Sequence, residues 1–214
     1  MKEIISALYE RRIISQIEKE ELPKHIILVI AEDDLQSNKA FNKLKEFVFW
    51  CSEIKISRIT VYISVTDNEE LSKNIYPKLL VEMMSCAQAD VTIYTESKKI
   101  EVIKDGRDLT LDISIGFGGK YELSAAIKQI MRNVEKGDVK PEDIDEKMIE
   151  SHLIFKSEPD LIIRTGGERL TNFLIWQAVY SELYFTDVNW LDFRKIDLLR
   201  AVRDYQKRQR RFGE

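Results

Sequence analysis

The sequence predicts an α/β fold, a single mostly parallel sheet flanked by helices on both faces. Three observations predict it. Short apolar runs of strand length alternate along the chain with longer segments whose apolar residues recur every three or four positions. Several of those runs are continuous rather than alternating, the pattern of strands buried on both faces of a sheet. No Pro/Gly-rich linker or internal repeat interrupts the 214 residues, 44% of them hydrophobic, so residues 1–214 are read as one domain with a full core.

The elements follow in order. Ile4, Ile5, Leu8, Ile13, Ile14 and Ile17 recur near helical spacing and predict a first, packing helix ended by Leu22-Pro23. His25 to Ala31 is a first buried strand. Phe41, Leu44, Phe47, Val48, Cys51 and Ile54 then mark a helix, and Ile59 to Ser64 a second strand. Residues 71–88 are helix-like, Val91 to Thr95 and Ile100 to Ile103 strand-like, and Leu109 to Gly116 is another strand after the Asp105-Gly106 turn. Leu123, Ala126, Ile127, Ile130, Met131 and Val134 mark the next helix. Gly137 to Pro141 is a polar turn, and Glu142 to Ser151 a helix leading to the apolar run Leu161-Ile162-Ile163. Beyond Trp190 comes a final helix ending in the basic run Arg200, Arg203, Lys207, Arg208, Arg210 and Arg211, a run most simply read as a solvated helix face.

Composition excludes several classes. A net charge of −4 argues against a general nucleic-acid binder, and no run of about 18 apolar residues offers a membrane span. The first residues mix charges among apolar positions, unlike a signal peptide. Cys51 and Cys86 sit in helical apolar patterns as reduced core residues, which favours a cytoplasmic location. His25 and His152 lie far apart with no cysteine cluster, so zinc is not expected.

One stretch makes a specific chemical statement. The run Leu161 to Ile163 stops at Arg164-Thr165-Gly166-Gly167-Glu168, which places a cation, a hydroxyl and two glycines beyond the carboxyl end of a strand, where open α/β sheets hold ligands. Glycine N–H groups can turn towards an anion, and Arg164 and Arg169 can offer forked hydrogen bonds to its oxygens: a phosphate seat. An ordinary surface turn is the competing reading of Arg-Thr-Gly-Gly taken alone.

Taken whole, the stretch is not ordinary. Arg164 to Glu168, Asn172-Phe173-Leu174, Trp176-Gln177, Ser181 to Asp187, Trp190 and Asp192-Phe193 resemble, in order and nearly in spacing, the C-terminal signature of the cis-prenyltransferases, the undecaprenyl and dehydrodolichyl diphosphate synthase family. Arg211-Phe212-Gly213 resembles the family's closing Arg-x-Gly, and Phe117-Gly118-Gly119-Lys120 its Tyr-Gly-Gly-Arg turn. The resemblance implies the same α/β architecture with a hydrophobic cleft for a growing isoprenoid. It implies condensation of isopentenyl diphosphate with an allylic diphosphate, Mg²⁺ in the active complex, a dimer, and a cytoplasmic protein with peripheral membrane contact. It also implies diphosphate binding by Arg164, Arg169, Thr171, Arg211 and Gly213, the last two reaching across a dimer interface. Glu182 of Ser181-Glu182-Leu183-Tyr184-Phe185 is implied near the diphosphates and their metal, with a local structural carboxylate as the equal alternative.

The pattern fails on the allylic side. Counting from His25, the family's Asp position holds Ala31, and Glu32-Asp33-Asp34-Leu35-Gln36 replaces a Gly-Asn-Gly-Arg-Trp loop. Three carboxylates stand where a diphosphate needs donors, unless Asp33 or its neighbours hold a bridging metal. They are equally readable as acids at a helix start. Thr66-Asp67-Asn68 matches only part of a second motif, Leu71 stands where it has an arginine, and one residue is missing between Glu168 and Arg169. The expectation is therefore a non-catalytic subunit of a two-component cis-prenyltransferase, paired with a homologous catalytic subunit, or a homodimer when alone. The alternatives are an active polyprenyl diphosphate synthase using Glu32, Asp33 or Asp34 with Mg²⁺, and a protein that binds an isoprenoid diphosphate without turnover.

Overall fold

Five consecutive apolar residues, Ile26 to Ile30, form the middle of strand β1 (His25–Ala31), and all five are buried. A strand with both faces covered belongs in the middle of a sheet, and β1 is flanked on both sides by parallel neighbours. In a computed structural model that describes residues 2–17, 22–65, 69–86, 88–95, 99–116, 118–167 and 176–208, the other strands are β2 (Arg58–Ser64), β3 (Ala89–Tyr94), β4 (Lys99–Ile103), β5 (Leu109–Ile115), β6 (Leu161–Thr165) and β7 (Glu182–Thr186). They form one sheet in the order β4-β3-β5-β2-β1-β6-β7, with only β4 antiparallel. The helices are α1 (Lys2–Ile17), α2 (Asn38–Glu53), α3 (Glu69–Met83), α4 (Gly119–Glu135), α5 (Glu146–His152) and α6 (Lys195–Lys207).

Ile26, Leu28 and Ile30 of β1 point into the main core with Phe41, Leu44, Phe47 and Val48 of α2, Leu79 and Met83 of α3, and Leu198, Leu199 and Val202 of α6. The opposite face carries a smaller cluster of Ile27, Val29, Tyr62, Ile162 and Phe155, the last from the segment after α5. Helices thus cover both faces, unevenly. Cys51 and Cys86 are free and buried in the main core, and burial pushes both thiols up from their ordinary pKa.

The chain leaves β1 towards β2, but later returns from β5 across to β6 on the far side of β1. The strand order therefore reverses between β1 and β6. In an open parallel sheet, connections that leave two adjacent strands in opposite directions open a crevice at their carboxyl ends.

Four details differ from the sequence expectations. The helix read over 142–151 is a 3-10 turn, Pro141–Asp143, followed by α5, because the Asp145 side chain caps the helix by accepting the Met148 N–H at 2.8 Å. The last helix starts at Lys195, where the Arg194 N–H is held by the Asp197 carboxylate at 3.1 Å, and Trp190–Asp192 is a separate 3-10 turn. Leu8, counted with the packing stripe of α1, is 61% exposed, while Ile13 and Ile17 are buried. Residues 182–186, given no element by periodicity, form the outermost strand. There Tyr184 and Phe185 favour extended backbone, but half-exposure hides the burial pattern.

Candidate active site

Two segments meet at the reversal point, the 3-10 turn Glu32–Leu35 that follows β1 and the turn that follows β6. β6 ends at Thr165, and Gly166 adopts φ +65°, with its N–H shared between the carbonyls of Thr186 at 3.0 Å and Val188 at 3.1 Å. A Cβ there would lie 3.2 Å from Asn189 Oδ1 in a backbone conformation that side chains avoid, so the turn requires glycine. Thr165 is fully buried and its hydroxyl points at the Val29 carbonyl, 3.5 Å away.

Arg164 is half-buried at this edge. One guanidinium N–H donates to the Val29 carbonyl at 3.3 Å, and Nε is buried with no partner among the described residues. Burial lowers its pKa while the Asp34 carboxylate pulls the other way; a guanidinium stays charged throughout. The arginine is thus a desolvated, incompletely satisfied cation, the state in which an added oxyanion gains most.

The acidic turn is built differently from a metal cage. Asp34 accepts the Ala31 N–H at 3.3 Å, as a capping residue does, and Asp33, exposed, accepts from the Gln36 amide at 3.1 Å. Glu32 is 1% exposed, turned inward beneath the turn. Among the described residues no three His, Cys, Asp or Glu side chains converge to hold a metal ion.

The structure brings Arg164, Asp33, Asp34 and the backbone of Ala31 to one end of the sheet, but it does not bring Glu182 there. In the parallel register Leu161 pairs with Glu182 and Arg164 with Phe185, so Glu182 lies at the opposite end, three strand steps or roughly 10 Å away. It is engaged there, with its carboxylate 3.0 Å from Arg208, which also donates to the Leu183 carbonyl at 2.9 Å and to Asp204 at 2.7 Å. Two residues of the basic run are ion-paired rather than merely solvated, Arg208 as above and Arg200, which contacts Asp197 at 3.1 Å and lies over the Tyr9 ring. Arg169, Thr171, Arg211 and Gly213, with Glu168 and Thr66 to Asn68, lie outside the described residues.

Two features of this region escaped the sequence reading. One is the reversal of strand order that creates the crevice. The other is Glu122, a buried carboxylate two residues beyond Lys120 of the Phe-Gly-Gly-Lys turn, whose partners are distant in sequence. Its signal was an acidic residue on the apolar side of a helix. A separate cleft of about 690 Å³, lined by Ser52, Lys55, Arg107 and Asp108 among others, opens at the amino ends of the strands, away from the crevice.

Comparison with known proteins places this geometry. A family model described as "Putative undecaprenyl diphosphate synthase" matches residues 86–213. The chain is 34% identical to a tritrans,polycis-undecaprenyl-diphosphate synthase (geranylgeranyl-diphosphate specific) of Methanocaldococcus jannaschii, over 97% of this chain and 88% of that one. It is also 34% identical to the protein of the same name from Picrophilus torridus, over 98% and 97% respectively. Among solved structures, lavandulyl diphosphate synthase from Lavandula x intermedia superposes with a TM-score of 0.73 at 26% identity, covering 90% of this chain and 99% of that one. A probable undecaprenyl diphosphate synthase from Campylobacter jejuni, 22% identical, superposes with a TM-score of 0.70 over 91% and 99%, and shares the fold.

These relatives overturn the expectation of a non-catalytic partner subunit. Proteins named as synthases match nearly the whole chain. They favour the alternative given beside it, an active synthase, in which the three carboxylates are not merely a repulsive charge.

Proposed function

The chain belongs to the undecaprenyl diphosphate synthase family, the cis-prenyltransferases, and from that premise we propose that it is itself a polyprenyl diphosphate synthase, extending an allylic diphosphate of the geranylgeranyl class with isopentenyl diphosphate. The observation that carries this reading is the near-full-length identity to synthases named for that allylic substrate. The crevice at the carboxyl ends of β1 and β6 supports it. Arg164 offers a diphosphate oxygen the guanidinium N–H groups that the Val29 carbonyl does not hold. The tight turn at Gly166 fixes where the chain leaves β6, and Arg169 and Thr171 are proposed as further diphosphate-binding groups. Arg211 and Gly213 are proposed to complete the isopentenyl site.

Asp33 and Asp34 fit a Mg²⁺ ion of the kind held by one or two carboxylates together with substrate phosphates. Each has one oxygen engaged within the turn, by the Ala31 N–H and the Gln36 amide, and the second is proposed for the cation. When bound, the ion would neutralise the leaving diphosphate. The residues of the chain do the rest: Arg164 orients and charge-balances the diphosphate of isopentenyl diphosphate, and the crevice brings the isopentenyl double bond to the ionising allylic carbon, with loss of one proton to restore a double bond.

The test is incorporation of radiolabelled isopentenyl diphosphate by the purified chain with geranylgeranyl diphosphate and Mg²⁺. Solvent-extractable polyprenyl product is expected from the chain alone. No incorporation under these conditions, with substrate binding retained, would sink the reading in favour of binding without turnover.

A further inference from the structure

The crevice lies at the carboxyl ends of the strands. At their amino ends, roughly 20 Å away along the seven residues of β2, three connections converge on the separate cleft of about 690 Å³. They are the turn from α2 into β2, with Ser52, Lys55 and Ile56, the approach to β3, with Gln88, and the turn from β4 into β5, with Arg107 and Leu109. Its volume is that of a pocket for a small organic molecule.

The walls are held by the chain itself. The Lys24 carbonyl accepts the Ser57 N–H at 3.2 Å, the Arg58 N–H at 3.0 Å and the Ser57 hydroxyl at 2.9 Å, and the Ser57 carbonyl accepts the Thr110 N–H at 3.0 Å. On the facing wall the Asp90 carboxylate takes the N–H groups of Asp105 at 2.9 Å and Gly106 at 3.1 Å. Ile56 and Leu109, both buried, supply apolar lining. Lys55 and Arg107 set two cations against the single carboxylate of Asp108, and Arg107 also pairs with Asp105 at 3.2 Å.

Lys55 is the group that points to a ligand. Its φ of +61° makes it the only residue other than glycine in the left-handed region among the described residues; Gly106, Gly116, Gly137 and Gly166 fill the other such positions. It closes α2, with its own N–H on the Ser52 carbonyl and the Ile56 N–H on the Cys51 carbonyl, each at 3.0 Å. Glycine fills that helix-ending position without strain and lysine does not. A cation near a helix C-terminus does suit the helix dipole, yet a lysine in the last turn would serve it unstrained, and the last turn of α2 carries no basic residue. The Lys55 ammonium is exposed and has no carboxylate partner among the described residues. Strain that holds an unpaired cation at the mouth of a preformed cleft marks a binding group.

We propose that this cleft binds a small amphiphilic anion, with one carboxylate or phosphate group held by Lys55, Arg107 as the second cation, and a short apolar body against Ile56 and Leu109. The charge balance of the lining suits a single anionic group rather than a diphosphate. The site uses none of the crevice residues and stands whether or not the chain is a synthase.

The test is titration of the ¹⁵N-labelled chain with hexyl phosphate, hexanoate and inorganic phosphate, followed by amide shifts. Saturable shifts of Lys55, Ile56, Gly106 and Leu109 are expected with hexyl phosphate or hexanoate, the tighter of the two naming the head group, at about tenfold lower concentration than with inorganic phosphate. Lys55→Gly, whose backbone suits the turn, should keep a urea midpoint at least as high as wild type and bind about tenfold or more weakly, the loss of one charge-assisted hydrogen bond. Lys55→Asn, the other residue tolerant of this backbone, reads the same loss should glycine loosen the helix end. Arg107→Gln should weaken binding in the same direction. No saturable shift with either amphiphile, shifts confined to Ala31 and Gly166 at the crevice, equal affinity for inorganic phosphate, or undiminished binding by the Lys55 variants would each overturn the proposal.

Discussion

Arg164 shows how one residue can be half-finished by design: its backbone is in the sheet, one N–H is satisfied by Val29, and Nε is buried with no partner among the described residues. Arg164→Ala is expected to weaken diphosphate use by about 10- to 100-fold, the worth of a charge-assisted hydrogen bond of ~1.5–3 kcal/mol, with the melting curve little changed. Steady-state kinetics with both substrates checks it, and wild-type kinetics would sink the phosphate seat. His25 makes a different case, a buried residue kept without charge. Its Nε2 is 2.9 Å from the Thr60 hydroxyl, and burial, the main cause, with Arg58 as a second, lowers its pKa to about 4. The fold therefore keeps it neutral while the unfolded chain takes up a proton near pH 6.5. Its contribution to stability is intact above pH 6.5 and is lost progressively as pH falls towards 4, by at most about 1.4 kcal/mol per unit. Urea denaturation between pH 7 and pH 5 should show that slope, reduced in His25→Gln; parallel slopes would assign the acid sensitivity elsewhere.

At the scale of elements, α2 and the 3-10 turn Trp190–Asp192 are locked together by one aromatic group. The Trp190 ring is fully buried, lies 6.0 Å from Phe47 and 6.1 Å from Phe193, and donates its N–H to the Ala40 carbonyl at 3.2 Å. Trp190→Ala is expected to cost about 3–5 kcal/mol in chemical denaturation, since it opens a cavity and strands a buried carbonyl. A loss below about 1 kcal/mol would show that the site collapses freely. Elements of this kind were legible wherever burial was periodic: β1 from five consecutive apolar residues, α2 from steps of three and four. They were illegible where a local cap decides a boundary, as Asp145 does for α5, or where half-exposure blurs the pattern, as in β7. The glycine of the turn after β6 was legible because its chemistry is local.

Over the whole molecule, what could not be read was adjacency. β1 and β6 pair although Val29 and Arg164 are 135 residues apart, and that pairing alone creates the crevice. Nothing local encodes it, and for the same reason the sequence left Glu182 evenly between a place near the diphosphates and a local pairing: sequence proximity to Arg164 does not reveal the register that separates them. The site was therefore half legible, in residue types but not in arrangement. The pairing of Arg208 with β7 bears on a different property, colloidal behaviour. A sheet has two rims with hydrogen-bonding groups to spare, and other chains can add strands to them. The β4 rim is defended by charge, with Glu101 between Lys99 at 3.5 Å and Lys104 at 3.2 Å. The β7 rim, which exposes Phe185, has its Leu183 carbonyl stoppered by the Arg208 guanidinium. Arg208→Ala should leave that rim open to strand addition, seen as faster growth of light scattering in concentrated, agitated solution at unchanged secondary structure. Identical scattering traces would mean that the rim is protected by something other than the arginine.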